Sequence, residues 1–586
     1  MISTLRRILK LIPETNYSKM YRLLSALLVV LSITGFIHVT AQKLDPVTFN
    51  IETTELNDSI AQGLYHGHSN IRKNIFRLIL EGKNEEARAR IEKYGESKGK
   101  RRRRRGSGSN AYQDYYKSVF LIYNNRLDEA WQTMQKAMEN GIPFETFMAG
   151  PRSMLQNIYH YPRFRDALRG RQLIHGPMVG AVTSSGANFW ARTWREIAFK
   201  VMLSDSKEFS NPVYSRISRT NSDFDFTGTS GVNGLKPDTR YYYKLVLDGE
   251  IREEVYTFKT YPEEKEASAF RIAFGGCSNL NKNPDNERMW SVIRNTSPLA
   301  FVQLGDNTYI DDPTGYEYQR SSFYRRHSNP HYRELMSATS NYAIYDDHDF
   351  SLNDCVSSPD PDLPEWKVKV LKIFKENFPA PYYGNGKKNG GAYTHFSIGE
   401  VDFFILDCRY FRDNPLTAEA PSMLGQEQKQ WFFDLLKNST AKFKVVFTSV
   451  PVAPDVSGKE LSCDSWDGFP GERDEIFTFI KSNQIEGVIF AAGDRHRADA
   501  RMIQNDGLYD IPEFLNSRLT NSKGYMLVEE AEGSRYLFGY NELPHFGLLD
   551  FDTQKDDPEV SYTIININNE KKGKVTIRLS DLEFKP

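Results

Sequence analysis

Phe301-Val302-Gln303-Leu304-Gly305-Asp306-Asn307-Thr308-Tyr309-Ile310-Asp311 is the stretch on which the fold turns. A largely apolar run of four residues leads into Gly-Asp, and a tyrosine follows three positions after the aspartate. The run predicts a buried strand, and the glycine a turn at its carboxyl end. In open α/β sheets ligands sit beyond the carboxyl ends of strands, so Asp306 and Tyr309 would project into such a site. Taken alone, the pattern is equally that of an ordinary turn. Its meaning depends on what the other strand ends carry.

Outward from this stretch, strands alternate with helical segments from residue 270 onward, an α/β signature. Strands are predicted at 271–274, 299–304, 342–345, 401–406, 444–448 and 487–492. All but 444–448 end in side chains able to bind metal or do chemistry. Ile272-Ala273-Phe274 leads into Gly275-Gly276-Cys277-Ser278-Asn279. Ala343-Ile344-Tyr345 leads into Asp346-Asp347-His348-Asp349, with Asn353-Asp354 beyond. Phe404-Ile405-Leu406 leads into Asp407-Cys408-Arg409, and Ile489-Phe490-Ala491-Ala492 into Gly493-Asp494-Arg495-His496. Any one of these is also a plausible turn or cap. Together they supply the converging anionic oxygens and imidazoles that paired metal ions need, one of them bridging.

The set Gly-Cys-Ser-Asn, Gly-Asp-x-x-Tyr, Asp-Asp-His-Asp and Gly-Asp-x-His resembles the PhoD-type alkaline phosphatases. These are a branch of the calcineurin-like metallophosphoesterases, related to purple acid phosphatases. The resemblance covers roughly residues 172 to 552. It implies that Asp306 bridges two metals and that Tyr309, Cys277 and His496 complete one site. Cys277 stands where most metallophosphatases have an aspartate. A tyrosinate and a thiolate suit Fe³⁺. Asp347 and Asp494 would serve the second site, in place of an asparagine and a histidine, with Asn353 as a further oxygen. This harder donor set shifts the expectation from Zn²⁺ towards Ca²⁺, with Zn, Mn and Mg as alternatives. His348 would stabilise the phosphate or protonate the leaving group. The other reading of His348 is a buried structural imidazole donating to Asp346 or Asp349. Arg409, in a segment similar to the family's Leu-Asp-Thr-Arg, is a candidate catalytic and phosphate-orienting group; an ion pair is its alternative. Arg495 and Asn307 complete the substrate-binding set. Cys463-Asp464-Ser465-Trp466-Asp467-Gly468 resembles a family turn, in which Asp464 or Asp467 reaches the metals or frames the pocket. Asp349 replaces a glutamate of several relatives, and Arg495 a small or apolar residue.

The expected activity is hydrolysis of phosphate monoesters, with diesters also considered, by attack of a metal-bound hydroxide. The alternative is a non-catalytic cell-envelope binding module. The expected fold is α/β, a sandwich of two mixed sheets flanked by helices over 266–586. Before it, short strands at 176–182, 187–192, 198–203 and 241–247 predict a small β-sandwich at 172–262. Gly234-Leu235-Lys236-Pro237-Asp238 within it resembles a corner of fibronectin type III domains. Earlier still, apolar spacing at 70–94 and 111–140 predicts two helical hairpins, similar to degenerate tetratricopeptide repeats or an ordinary helical cap, within a region spanning 65–170. Between them, residues 98–110 carry five consecutive arginines and then Gly-Ser-Gly-Ser, and read as a solvated, mobile loop. Beyond residue 501, strands are predicted at 525–528, 536–538, 546–552, 560–565 and 574–579, and a loop at 513–522 bordering the pocket.

The 586 residues exceed one core and imply several domains. A formal net charge of −1 implies no nucleic-acid partner. Four cysteines are too few for a disulfide scaffold. Lys19 to Arg22, the apolar run 23–39 and the small residues before Gln42 have a signal-peptide layout with cleavage after Ala41, hence a periplasmic or secreted protein. An uncleaved membrane anchor through 23–39 is the other reading.

Overall fold

The computed structural model describes residues 71–102, 111–280, 283–379, 382–456 and 464–585. The export segment, Cys463 and the part of the arginine-rich stretch after residue 102 lie outside the described residues. All five residues of the strand Ala300–Leu304 are buried. It pairs in parallel with Ala269–Gly275 on one side and Ser340–Ile344 on the other, with Ala300 opposite Ile272 and Ser340. Near-continuous apolar sequence is what a central parallel strand covered on both faces requires. In-register parallel pairing also brings the three carboxyl ends to one edge.

These three strands are the middle of a nine-stranded sheet. On one side it continues through the antiparallel His545–Asp552, Glu559–Asn566 and Lys571–Arg578. On the other it continues through Leu173–Gly180, Gly186–Thr193 and Thr227–Asn233. A second sheet of eight strands has Val401–Ile405, Phe443–Thr448 and Val488–Ala492 as its parallel centre. The two sheets meet through aromatic rings. Phe274 lies 5.8 Å from Phe447, Phe403 lies 5.8 Å from Phe551, and Tyr342 stacks on Phe396 at 3.8 Å. Each such pair adds about 0.5–1.5 kcal/mol beyond area burial. The high aromatic content thus has a structural use, holding two sheets in one alignment so that both sets of strand ends open on a common site.

Residues 172–262 divide between two sheets. Three of their strands extend the nine-stranded sheet, joined to it where Gly180 pairs with Asn341. Ala198–Ser204, Arg240–Leu247 and Tyr256–Lys259 belong to a third sheet, facing Phe189 through Tyr243 at 4.9 Å and Phe258 at 5.5 Å.

Three local expectations differ from the structure. The helix Asn84–Arg102 runs into the stretch expected to be a loop from residue 98. Lysine and arginine are good helix formers, and positive charge at a helix C-terminus meets the favourable end of the dipole. The pocket-bordering loop expected from 513 begins as part of the strand Ile511–Asn516. Pro512 disguises this strand, but its parallel pairing with Val488–Ala492 starts only at Glu513, so that ladder asks no N–H of the proline. Residues 525–528 form no strand. Tyr525 N–H donates to the His496 carbonyl, and the Tyr525 carbonyl accepts from Asn541 Nδ2. Its main chain serves the site rather than a ladder.

The N-terminal helices Ile71–Leu80, Asn84–Arg102, Ala111–Tyr123 and Leu127–Glu139 precede the sheets. The first and third lie against the helix Tyr316–His327, with Phe76 5.7 Å from Tyr318 and Tyr115 Oη 3.1 Å from Ser321 Oγ. Among the described residues no helix is long and apolar enough to cross a membrane.

Candidate metal centre

Gly305 ends the strand that carries Asp306. Its φ is +89°, and a Cβ there would lie 2.4 Å from Asp346 Cβ and 2.8 Å from Asp346 N. Only glycine permits both the turn and this approach. The two loops at these strand ends are tied together, with Cys277 N–H donating to the Gly305 carbonyl at 3.1 Å and Ser278 N–H to the Asp306 carbonyl at 2.9 Å. The turn after Asp306 is closed by Asp349, which accepts from Asn307 N at 2.8 Å and Thr308 N at 2.9 Å. Arg326, buried in the following helix, donates to the carbonyls of Ser278 and Asn307 and to Glu287. One guanidinium thereby holds both loops.

Three groups of donors converge. Cys277, Asp306 and His496 form one, Asp306, Asp347 and His348 a second, and Asp347, Asp354 and Asp464 a third, each with its donor atoms within 4.8 Å of one another. Asp306 belongs to the first two and Asp347 to the last two. Tyr309 Oη lies 2.9 Å from His496 Nε2, on the edge of the first group. Cys277, Asp306, Tyr309, Asp494 and His496 all have left-handed backbone, with φ between +48° and +73°. Non-glycine residues in sparsely populated backbone regions cost of order 1–3 kcal/mol each and persist where surrounding contacts over-determine them. Positive-φ residues also occur elsewhere in the chain, but here five of them stand among the donors themselves.

The electrostatics is that of an acidic centre short of positive charge. Burial, together with the carboxylates of Asp347, Asp346 and Asp349, pushes Asp306 well above the usual carboxylate range, against the pull of His348. Burial, then Asp306 and Asp494, raises the Cys277 thiol. Burial and Asp306 likewise raise the Tyr309 phenol. Burial lowers His496 to about 3, so its imidazole is neutral. Asp347 goes the other way. Burial opposes its ionisation, but His348 and Arg409 overcome this and bring it to about 2. For His348, burial disfavours the charge, while Asp311, Asp347 and Asp306 outweigh it and raise the imidazole well above its ordinary value. Asp306 Oδ1, Asp346 Oδ2 and His496 Nδ1 are buried without a hydrogen-bond partner. Orphaned acceptors of this kind call for a ligand. Carboxylate oxygen, thiol, phenol and neutral imidazole are together a donor set for cations, which would also reverse the upward shifts of Cys277 and Tyr309. The residues therefore fit metal ions.

The residues singled out in the sequence are placed unequally. Cys277, Asp306, Tyr309, Asp347 and His496 come together. Asp494 turns its carboxylate to Arg495 Nε at 3.1 Å, while its carbonyl meets Cys277 Sγ at 3.4 Å. Asn353 is exposed, and its neighbour Asp354 joins the third group instead. Arg409 is fully buried and committed to carboxylates, with Nε 2.5 Å from Asp346 Oδ1 and Nη1 2.6 Å from Asp464 Oδ1. Arg495 lies 3.7 Å from Asp464. Asp464 also takes Arg412 at 2.8 Å, and these guanidiniums, against the effect of burial, hold it well below the usual range. Asn307 spends its amide on Asp349 at 2.8 Å and on the Ile344 carbonyl. Geometry thus makes Arg409 and Asn307 holders of the site's carboxylates. His348 does not donate to Asp346 or Asp349; its Nδ1 lies 2.5 Å from Asp311 Oδ1.

Four supporting residues escaped the sequence reading. Asp311 and Arg326 are two of them. Asn521 Nδ2 donates to Tyr309 Oη at 2.9 Å, and Tyr525 stacks on His496 at 4.9 Å. None has a spacing signal, because all act across the chain. Only the expected 513–522 pocket border pointed near Asn521.

Two facing sheets with a strained, acidic donor cluster at their common edge define an α/β protein with a candidate cation centre. The chain belongs to the PhoD-like phosphatase family, whose PhoD-like phosphatase model matches residues 272–553 and whose PhoD-like phosphatase N-terminal domain model matches residues 161–262. It is 25% identical over 323 residues to alkaline phosphatase D of Bacillus subtilis (strain 168), across 47% of this chain and 54% of that protein. The match thus spans about half the length of that curated relative. In fold it is similar to the solved structure of PhoD, with a TM-score of 0.56 at 20% identity over 68% of this chain and 88% of that one. It is also similar to a purple acid phosphatase from yellow lupin (Lupinus luteus) seeds, with a TM-score of 0.53 at 13% identity over 69% and 75% of the two chains.

Proposed function

We propose that this protein is a metal-dependent phosphoesterase acting on phosphate monoesters, with diesters as a second substrate class. The observation that carries this is the convergence of Cys277, Asp306, Asp347 and His496 from four strand ends, with buried acceptors left unmatched. Cys277, Asp306, Tyr309 and His496 would hold one ion, for which Fe³⁺ suits the thiolate and phenolate. Asp306 and Asp347 would hold a second, for which Ca²⁺ suits the oxygen donors. Bound ions would supply Lewis-acid charge for the phosphate and lower the pKa of water there.

The chain's own residues do the rest. Asp349 and Arg326 fix the Asp306 turn. Asn521 and Tyr525 orient Tyr309 and His496. His348, partly open to solvent, holds a proton on Nδ1 towards Asp311. As an imidazolium it presents a second N–H able to protonate a departing alkoxide. Export, as expected from residues 19–41, belongs to the same reading.

The test is hydrolysis of an aryl phosphate and an aryl phosphodiester by protein stripped with chelator and then reloaded with Fe and Ca. Turnover is expected to vanish on stripping and return on reloading, with iron found by elemental analysis and a phenolate-to-iron absorption band that Tyr309→Phe abolishes. No metal-dependent turnover of either ester sinks the proposal. His348→Asn is expected to lower kcat by about 10²–10⁴-fold, the range for a positioned acid. The loss should be larger for an alkyl phosphate than for a nitrophenyl phosphate, whose leaving group needs no proton. Equal losses on both esters would remove the acid role.

A further inference from the structure

Residues 71–160 lie outside both family matches, yet one of their side chains reaches the loop that carries Tyr309. Arg77, on the helix Ile71–Leu80, donates from Nε to Asp312 Oδ2 at 2.9 Å and from Nη2 to Asp312 Oδ1 at 2.5 Å. Nη2 also donates to Thr314 Oγ1 at 2.7 Å. This is the two-pronged fork that guanidinium and carboxylate make best. Asp312 is only 4% exposed while Arg77 is 32% exposed, so the carboxylate side of the pair is shielded from the solvent that weakens surface ion pairs. Phe76, the preceding residue, packs edge-on against Tyr318, and Arg325 on the same following helix lies 4.0 Å over the Tyr112 ring.

The gripped loop is short and dense with site residues. Ile310 N and Asp311 N donate to the His348 carbonyl at 2.8 and 3.0 Å, and Asp311 also takes His348 Nδ1. Tyr309 and Asp311 are both in left-handed backbone, at φ +55° and +53°. A segment that stores strain on both sides of one residue needs an external restraint, and Asp312 is the next residue along.

We propose that the helical region is a positioning element of the metal centre. It would act through the Arg77–Asp312 pair to hold Tyr309 beside His496 and Asp311 beside His348. Arg77 is a positioning residue, since it touches neither substrate nor the donor groups. The proposal rests on the phosphoesterase reading only in its activity arm.

The test uses the full chain carrying Arg77→Ala or Arg77→Lys, and three readouts. Hydrogen exchange of the metal-free protein is expected to speed up at residues 308–314 in Arg77→Ala, with the sheet amides unchanged. Iron affinity by chelator competition and kcat are each expected to fall about 10-fold, the low end of what loss of a supporting residue costs, with KM unchanged. Arg77→Lys is expected to recover part of each, since it keeps the charge but not the fork. Should Arg77→Ala fold poorly, Asp312→Asn gives the same three readouts. Unchanged exchange and unchanged iron affinity would overturn the proposal. Altered exchange and affinity in a protein whose wild type hydrolyses no phosphate ester would support the positioning role and overturn the phosphoesterase reading instead.

Discussion

Asp306→Asn is expected to lower ester hydrolysis by about 10³-fold or more while leaving the metal-free protein at least as stable as the wild type. Loss of a single preorganised electrostatic contact typically costs 10²–10³-fold, and Asp306 serves two donor groups at once. The stability half of the result has the opposite sign for a physical reason. Asp306 Oδ1 has no hydrogen-bond partner and Oδ2 receives the long Cys277 thiol contact at 3.4 Å, so the amide gives up little. Burial and the carboxylates of Asp347, Asp346 and Asp349 already disfavour its charge. Removing that charge relieves repulsion that protonation or a bound cation would otherwise have to relieve. Metal content by elemental analysis, steady-state kinetics and urea unfolding of stripped protein check all three parts. A stripped variant markedly less stable than wild type would mean that Asp306 is a fold residue first.

Arg409→Met is expected to destabilise the metal-free protein by about 3–5 kcal/mol, the cost of removing one partner from a buried ion network. Arg409 is 0% exposed and faces Asp346 at 2.5 Å, Asp464 at 2.6 Å and Asp347 at 4.0 Å. Methionine fills part of the volume but leaves buried Asp346 without its guanidinium, and Asp464 with only Arg412 and Arg495 to offset its charge. Arg409→Lys keeps the charge without the two-pronged contact and is expected to lose less. Reloading with metal is expected to recover part of the loss, because cations at Asp306 and Asp347 take over some of the neutralisation. Urea unfolding with and without metal measures both. A loss below about 1 kcal/mol, the size of a surface pair, would show that these carboxylates are protonated or hydrated rather than paired.

The parallel strands were legible because their cause is local. Ala300–Leu304, Val401–Ile405 and Val488–Ala492 are short apolar runs ending in Gly-Asp or Asp turns, and burial on both faces writes that pattern directly. The donors were legible for the same reason, since Cys277, Asp306, Asp347 and His496 each follow their own strand within a few residues. Ile511–Asn516 was hidden by Pro512, whose acceptability depends on where a neighbouring ladder starts. Residues 525–528 carry strand propensity, but the main chain of Tyr525 is used by His496 and Asn541. Arg409 has the residue type of a phosphate clamp, and nothing in the chain around it reveals the three carboxylates that enclose it.

By itself, then, the sequence determined which strands end in chemistry and which side chains stand there, because a strand and the turn after it are decided by neighbours in the chain. Only the tertiary structure decided which of those side chains converge as candidate cation ligands and which hold the others in place. Asp306 joins Cys277 and His496 to Asp347 because two sheets face each other across an aromatic core. Asn521, Arg326 and Arg77 reach the same few residues from 212, 19 and 235 positions away in their contacts with Tyr309, Asn307 and Asp312. Charge compensation in a buried site depends on distance in space, and spacing along the chain carries no record of it.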